Sequence, residues 1–523
     1  MTRVVTRVEG AAEDVKPWLE PRDDLVGEHP AKTTECGLVF VAAHGPVEHY
    51  RRRVTTEALS GGHLAVTSTT DFRLAVPYFG WLFTPPVKHA LRRLGRPGHQ
   101  PWWAPPERLD ARAASVLGVL AAASVVAGYL GTLLTQTITF AAADFGLVGA
   151  QAQANALAAV RIGILAALVL VALADRRGRR PVVVVCAVGG CVMSMVGALA
   201  PSLTALSASQ LLARAFAAAL VVLITIVAAE EVPRGSRAYA VSVLGMAGGL
   251  GAGVCVMALP LADLGPQGWR LLYLLPVAGL PLTVGIARRL RESRRFSAPH
   301  DTVGLAGHGR RLTLLAASAF LLAVFTAPAS QLQNEFLRDE RNFSASRIAL
   351  FTLLTVTPAG IGVVAGGRLA DLHGRRVVGA LGLIGGVGAS VAMFASSGWL
   401  LWLWSVVGSV LGGAVLPALG VYGPELFPTS LRGRANGLVA VFGVLGSVLG
   451  LIGAGALADR LGGLGPALAI LALGPALLVA LVALAYPETA QRELEELNPE
   501  DRLLPPSPEP TPPPLPPLRP PRL

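Results

Sequence analysis

From about residue 115 onward the apolar residues fall into long runs separated by short polar turns. A bilayer-spanning helix needs roughly 20 consecutive, mostly apolar residues. Twelve runs meet that need, at approximately 115–140, 153–174, 181–200, 206–229, 238–260, 269–287, 312–329, 346–370, 377–396, 399–422, 436–458 and 464–486. The break between the sixth and seventh, Arg288 to Leu312, is basic and polar. The pattern predicts an all-α polytopic membrane protein with twelve transmembrane helices.

Residues 1–112 follow another pattern. They contain no apolar stretch near 18 residues, so neither a cleavable signal peptide nor an early span is expected. Two-residue alternation around Tyr50–Ala58 and His63–Val76 (Leu64, Val66; Phe72, Leu74, Val76) predicts a small β element. In "PYFGWLFTPPVKHALRRLGRPGHQPWW", Pro77 to Trp103, the residues Val87, Ala90, Leu91 and Leu94 share a helical face opposite Lys88, Arg92 and Arg93. Trp81, Trp102 and Trp103 flank that face, and an interfacial helix on the inner leaflet is expected. The alternative is a short soluble helix with a solvated basic side. Beyond Asn498 the chain is proline-rich and predicted to be extended.

Composition agrees with the spans. Hydrophobic residues make up 53% and charged residues only 15%, against about 25% charged in soluble domains. Cys186, Cys191 and Cys255 lie inside apolar runs and Cys36 stands alone, which is no disulfide framework. The net charge of +11 is placed unevenly. With the N-terminus inside, the inner loops hold Arg176, Arg177, Arg179, Arg180, Arg234 and Arg237, a cluster from Arg288 to Arg311, and then Arg368, Arg375, Arg376, Arg432 and Arg434. The outer loops hold Arg270, Arg338, Arg341, Arg347 and Arg460. This bias places both termini in the cytoplasm and makes the charge orientation information, with no nucleic-acid partner expected.

The first inner loop repeats. "LADRRGRR", Leu173 to Arg180, has a partner in "LADLHGRR", Leu369 to Arg376, at an offset of 196 residues. Glu230, Pro233 and Arg237 in "EEVPRGSRA" match Glu425, Pro428 and Arg432 in "ELFPTSLRG" at an offset of 195. Two unrelated motifs at nearly one offset indicate a parallel duplication into two pseudo-symmetric six-helix bundles, 113–287 and 312–486. A cytoplasmic appendage (1–112), a cytoplasmic central loop (288–311) and a cytoplasmic Pro-rich tail (487–523) complete the predicted organisation.

On these motifs the chain resembles the major facilitator superfamily, whose loop signature is G-x-x-x-D-R-x-G-R-R. The E-x-x-P-x-x-x-R-G repeats and "PETAQRELEEL", Pro487 to Leu497, resemble the sugar-porter and organic-ion branches. The resemblance covers residues 113–497, with Val171 in place of the usual glycine and Leu372 in place of the usual arginine. The sugar-porter Gln-Gln and Asn signature is missing from the seventh span. The resemblance implies alternating access. It also implies an inner gate of Asp175, Arg179, Arg180, Glu230 and Arg237 in one half and Asp371, Arg375, Arg376, Glu425 and Arg432 in the other, with Glu488 and Glu495 as further members. Arginine–carboxylate contacts made in one state and broken in the other are a means of setting that balance.

Substrate contacts must come from polar side chains inside the spans. Tyr129, Thr132 and Gln136 are spaced i, i+3 and i+7, and Arg161 and Arg214 place charge within the second and fourth spans. Such a charge costs roughly 2.5 kcal/mol or more at the bilayer centre and faces a cavity or a partner. Gln331, Asn334 and Glu335 close the seventh span; Thr352, Thr355, Ser405, Ser409 and Tyr422 are further lining candidates. No Asp or Glu lies mid-span, so a coupling proton, with Glu335 as its route, and simple facilitation both stay open. There is no phosphate-binding G-x-x-x-x-G-K-[ST] loop, no His/Cys metal spacing and no hydrolase elbow. The expectation is a non-enzymatic, monomeric transporter in the plasma membrane, with no cofactor and no metal. It would carry a small organic solute, sugar-like or an organic ion or metabolite, by secondary active or facilitative transport. A sensor or receptor built on a transporter scaffold is the alternative.

Overall fold

In the computed structural model the described residues are 1–31, 37–60, 63–95, 98–101, 103–147, 149–233, 236–290, 292, 308–420, 422–427 and 432–488. The side chains of Asp175, Arg237, Asp371, Glu425 and Arg432 lie outside the description, as do Trp102, Glu495 and the proline-rich tail.

Among the described residues twelve helices are long and apolar enough to cross a membrane. The first six are Ala111–Asp144, Ala150–Ala174, Arg179–Gly197, Leu203–Glu231, Tyr239–Leu264 and Trp269–Arg289. The other six are Gly309–Glu340, Ala345–Gly367, Arg375–Ala395, Gly398–Gly420, Ala435–Leu461 and Leu464–Ala485. The first span starts where the Asp110 side chain accepts from the Ala113 amide at 2.6 Å, which satisfies one open helix N–H. The seventh passes Pro328 and ends in a π-turn over Phe336–Glu340.

The two halves repeat one packing scheme. The first span packs on the fifth, the second on the fourth and the third on the fourth. The seventh packs on the eleventh, the eighth on the tenth and the ninth on the tenth. The symmetry breaks most at the first and fourth spans. The first span also packs on the fourth, with Arg214 donating to the Gly131 carbonyl, whereas the seventh and tenth stand apart.

The N-terminal segment carries more β-structure than the alternation suggested. Strands β1 (Thr2–Ala11), β2 (Gly27–Pro30), β3 (Leu38–His44), β4 (Val47–Ala58) and β5 (His63–Leu74) form one antiparallel sheet in the order β1-β5-β4-β3-β2. Helix α1 (Ala12–Leu19) lays Val15 on Phe40, Val54 and Val66. Helix α2 (Gly80–Leu91) corrects the interfacial expectation. Its Val87 and Leu91 are buried against Val4, Leu25, Tyr50 and Phe72 of the sheet domain. The apolar face expected on lipid is covered by protein, because an amphipathic pattern records burial and not what does the burying. Trp81 and Leu82, at the start of α2, are exposed.

Ion pairs brace this domain. The buried Arg22 bonds Asp24 at 2.7 Å and the carbonyls of Leu91 and Arg93 at 2.9 and 2.7 Å, which caps the end of α2. Burial works against the Asp24 carboxylate, but the Arg22 hydrogen bond and charge outweigh it and hold Asp24 below the usual carboxylate range.

The domain is docked against the first half at the Arg-rich end. Ser236 Oγ accepts from the Glu107 amide at 2.8 Å and donates to the Glu107 carbonyl at 2.7 Å. The Arg289 guanidinium lies 5.6 Å from the Tyr78 ring centre, and within the first half Arg112, at the start of the first span, pairs with Glu231 of the fourth at 3.0 Å.

Candidate functional site

Among the described residues the halves are clasped at one end. Away from the Arg-rich end a single core joins Tyr129, Leu133 and Trp269 of the first half to Phe336, Phe351 and Leu468 of the second. At the Arg-rich end the cores separate, one built from residues of the first half and the other from the second. Polar contacts hold the clasp. Asn334 Nδ2 donates to the Gln136 carbonyl and Oε1 at 3.1 and 3.0 Å. Arg338 donates to the Thr139 carbonyl at 3.0 Å. Asp263 accepts from the amides of Ala345 and Ser346, both at 2.9 Å, and from Ser346 Oγ at 2.6 Å. The second and eleventh spans touch at Gly455, where a Cβ would stand 2.8 Å from Ala154 Cβ, so glycine permits the approach. The central cavity is thus closed at this end.

Inside it, Arg161, Arg214, Thr132, Gln210, Ser330 and Gln331 surround a recess of about 210 Å³ where the first, second and fourth spans meet the seventh. Gln331 faces Arg161; with its amide oxygen toward the guanidinium it accepts from Nε and Nη2. Among the described residues no carboxylate pairs with Arg161 or Arg214. Two guanidiniums in one recess without a counter-ion suit an anion entering from the cavity.

The sequence candidates divide accordingly. Thr132, Arg161, Arg214 and Gln331 come together in the recess, although the Thr132 hydroxyl also donates to the Gly128 carbonyl at 2.9 Å. Gln136 and Asn334 lie above it as the clasp. Tyr129 is turned into the first half, donating to the Leu272 carbonyl at 2.7 Å, so it braces the bundle and does not face the recess. Glu335 is buried beside the clasp, and its Oε2 has no hydrogen-bond partner among the described residues. Ser405 and Ser409 line a second, larger cavity in the other half.

The Arg-rich loops show bracing within each half. Gly178 and Gly374 have φ of 99° and 98°, which glycine adopts at least cost. After Gly178, Glu292 accepts from the amides of Arg179 and Arg180 at 2.8 and 3.3 Å. After Gly374, Glu488 accepts from the amides of Arg375 and Arg376 at 3.0 and 3.2 Å. A carboxylate at an open helix N-terminus is favoured by both hydrogen bonding and the helix dipole. A Cβ at Gly178 or Gly374 would come within 2.7 or 2.8 Å of that carboxylate, a second reason for glycine. Arg180 and Arg376 reach the carbonyls of Ala287 and Ala483, and Arg179 pairs with Glu230 at 2.9 Å. Glu292 was missed from the sequence. Its signal was available, since Glu292 and Glu488 share the 196-residue offset of the loop motifs.

Glu488→Gln is expected to lower stability by about 1.5 kcal/mol, the low end for a charged hydrogen bond because the site is half exposed. Thermal melting of the purified chain reads this, and an unchanged midpoint removes Glu488 from the brace.

The comparisons bear on the spans. A family profile described as Major Facilitator Superfamily matches residues 118–327 and 312–521. No curated protein matches the sequence. Among solved structures, the inward-open xylose transporter XylE from E. coli is similar at 16% identity and a TM-score of 0.62, over 74% of this chain and 99% of that one. A bacterial homologue of the human lysosomal transporter Spinster, inward-facing and unoccupied, aligns at 17% identity and a TM-score of 0.61, over 75% and 99%. The nucleoside transporter NupG aligns at 14% identity and a TM-score of 0.61, over 71% and 100%. At these identities the likeness is one of fold.

Proposed function

The chain belongs to the Major Facilitator Superfamily, and we propose that it moves a small organic anion across the plasma membrane by alternating access. The observation that carries the anion is the recess with Arg161 and Arg214 and no carboxylate paired to either among the described residues. A neutral sugar would leave both charges uncompensated in a low-dielectric site, which is costly. The arginine bias of the loops makes the open end cytoplasmic, with both termini on that side. The Arg-rich loops then form the inner gate, and Asp175, Arg237, Asp371, Glu425 and Arg432 are its proposed further members.

Glu335 is the carboxylate proposed to carry a coupling proton, since it is buried at the clasp with one oxygen unpartnered among the described residues. Asp339, Glu340 and Asp459 act on it from neighbouring positions, with Arg338 close to Asp339.

In proteoliposomes, labelled organic anions are expected to be taken up in preference to sugars and organic cations of similar size. An inwardly directed proton gradient is expected to speed uptake, and Glu335→Gln to remove that gain. Preferential uptake of sugars or cations overturns the anion, flux that ignores the gradient overturns the proton, and a chain that moves no solute fits a sensor.

A further inference from the structure

The recess at Arg161 adjoins a second cavity of quite different chemistry. The seventh and tenth spans stand apart where their counterparts, the first and fourth, pack together. The space between them is about 620 Å³ and reaches the ninth and twelfth spans. Phe325, Trp404, Leu383, Leu416 and Tyr486 supply its apolar surface, and Gly408 and Gly412 widen it. Ser330 lines both cavities, so they meet at one residue of the seventh span.

Small-molecule sites occupy roughly 300–1,000 Å³. The cationic recess alone, at about 210 Å³, falls below that range, and the apolar cavity lies within it. The recess holds a charged head and little else.

We propose that the substrate is amphipathic, with a carboxylate, sulfonate or phosphate-type head held by Arg161 and Arg214 in the first half and an apolar body lodged between the seventh and tenth spans of the second. This rests on the anion reading of the Arg161 recess and adds the body to it. Charge fixes one end in the half that closes around arginine. Burial of the other end supplies affinity without a directional partner. One molecule then contacts both halves, as a carrier that must couple their movement requires.

The test uses the full chain in phosphatidylcholine nanodiscs and the linear alkanesulfonates from methanesulfonate to octanesulfonate, which stay anionic at all working pH values. Affinity is read by titrating the protection against thermal denaturation. It is expected to rise by up to about fourfold per methylene, the limit for a fully buried chain. Octanesulfonamide, uncharged at neutral pH, is expected to bind at least tenfold more weakly than octanesulfonate. Gly412 lines the apolar cavity, and a Cβ there meets nothing within 4 Å. Gly412→Leu therefore fills the cavity and is expected to cut the preference for octanesulfonate over ethanesulfonate at least tenfold. The unmodified chain alone decides the matter if that variant fails to fold.

Equal affinity along the series overturns the apolar body, and so does a cavity held by a bilayer acyl chain, which gives the same flat series. If short sulfonates bind and Arg161→Gln abolishes their binding while chain length has no effect, the anion reading stands and this inference falls. If no sulfonate of any length binds, both fall.

Discussion

Arg161→Gln is expected to weaken binding of an anionic substrate roughly ten- to hundredfold, the factor that loss of one charge-assisted hydrogen bond implies. Arg161 faces the recess with Gln331 as its neighbour, and no carboxylate pairs with it among the described residues. Glutamine keeps hydrogen-bonding capacity and removes the charge, so a loss of affinity reports electrostatics. Arg161→Lys restores the charge without the planar fork and is expected to recover part of the loss. Insertion into the membrane should be unaffected, since the substitution removes an ion from an apolar helix. Initial rates of uptake against substrate concentration make the measurement, with protein content as the control. If Arg161→Gln transports like the parent, Arg161 serves only to pack against Gln331 and the anion must be recognised elsewhere.

The spans and the duplication were legible because lipid imposes a simple rule. Every backbone polar group must be satisfied within the helix, so length and apolarity alone mark a span. The repeats were legible because Gly178 and Gly374 obey the same local backbone demand, a positive φ beside a carboxylate at a helix N-terminus, within the same run of charged neighbours. Arg161 and Arg214 were legible for a related reason, as charges in apolar runs.

Other features depend on which surfaces meet. Tyr129 shares a helical face with Thr132, yet its hydroxyl is taken up by the Leu272 carbonyl of the sixth span, a partner no spacing reveals. Gln136 and Asn334 were picked as lining and form a clasp, because the end away from the Arg-rich loops is closed in this conformation. The apolar cavity leaves no mark in the sequence, since it arises from two helices standing apart and not from the residues on either. In the N-terminal segment β4 and β5 showed their alternation, whereas β1 pairs along its length with β5 through a mixed sequence, TRVVTRVEGA, that gives only a weak pattern. The buried charges of that sheet hid a core that apolar counting undervalues.

Those charges set the last expectation. Arg52→Met is expected to destabilise the N-terminal domain by about 3–5 kcal/mol, the range for breaking one side of a buried ion pair. Arg52 and Glu28 have no exposed side-chain surface. Arg52 Nη2 and Nε reach the Glu28 carboxylate at 2.7 and 2.9 Å. Its Nη1 and Nη2 also donate to the carbonyls of Trp18 and Glu20 at 2.8 and 2.6 Å, and its guanidinium lies 4.4 Å from the Phe40 ring centre. Burial, and next the Glu28 charge, push the Tyr50 hydroxyl well above its ordinary range, so it stays protonated and donates to Glu28 at 2.6 Å. Methionine fills similar space but leaves the Glu28 carboxylate without its cation, held by the Tyr50 hydroxyl and the Arg22 amide alone among the described residues, and strands two carbonyls. Domains of this kind are stable by about 5–15 kcal/mol in total, so the loss is a large share. In the full chain the reading is limited proteolysis: residues 1–109 should be cut far faster while the spans stay intact. Adding Glu28→Leu to Arg52→Met should return part of the protection, because an apolar pair carries no orphaned charge. The return stays incomplete, since the Trp18 and Glu20 carbonyls and the Tyr50 hydroxyl remain without these partners. Cleavage at the parental rate in Arg52→Met would show that the sheet does not depend on the pair and that its docking through Glu107 on Ser236 and Tyr78 on Arg289 holds it together instead.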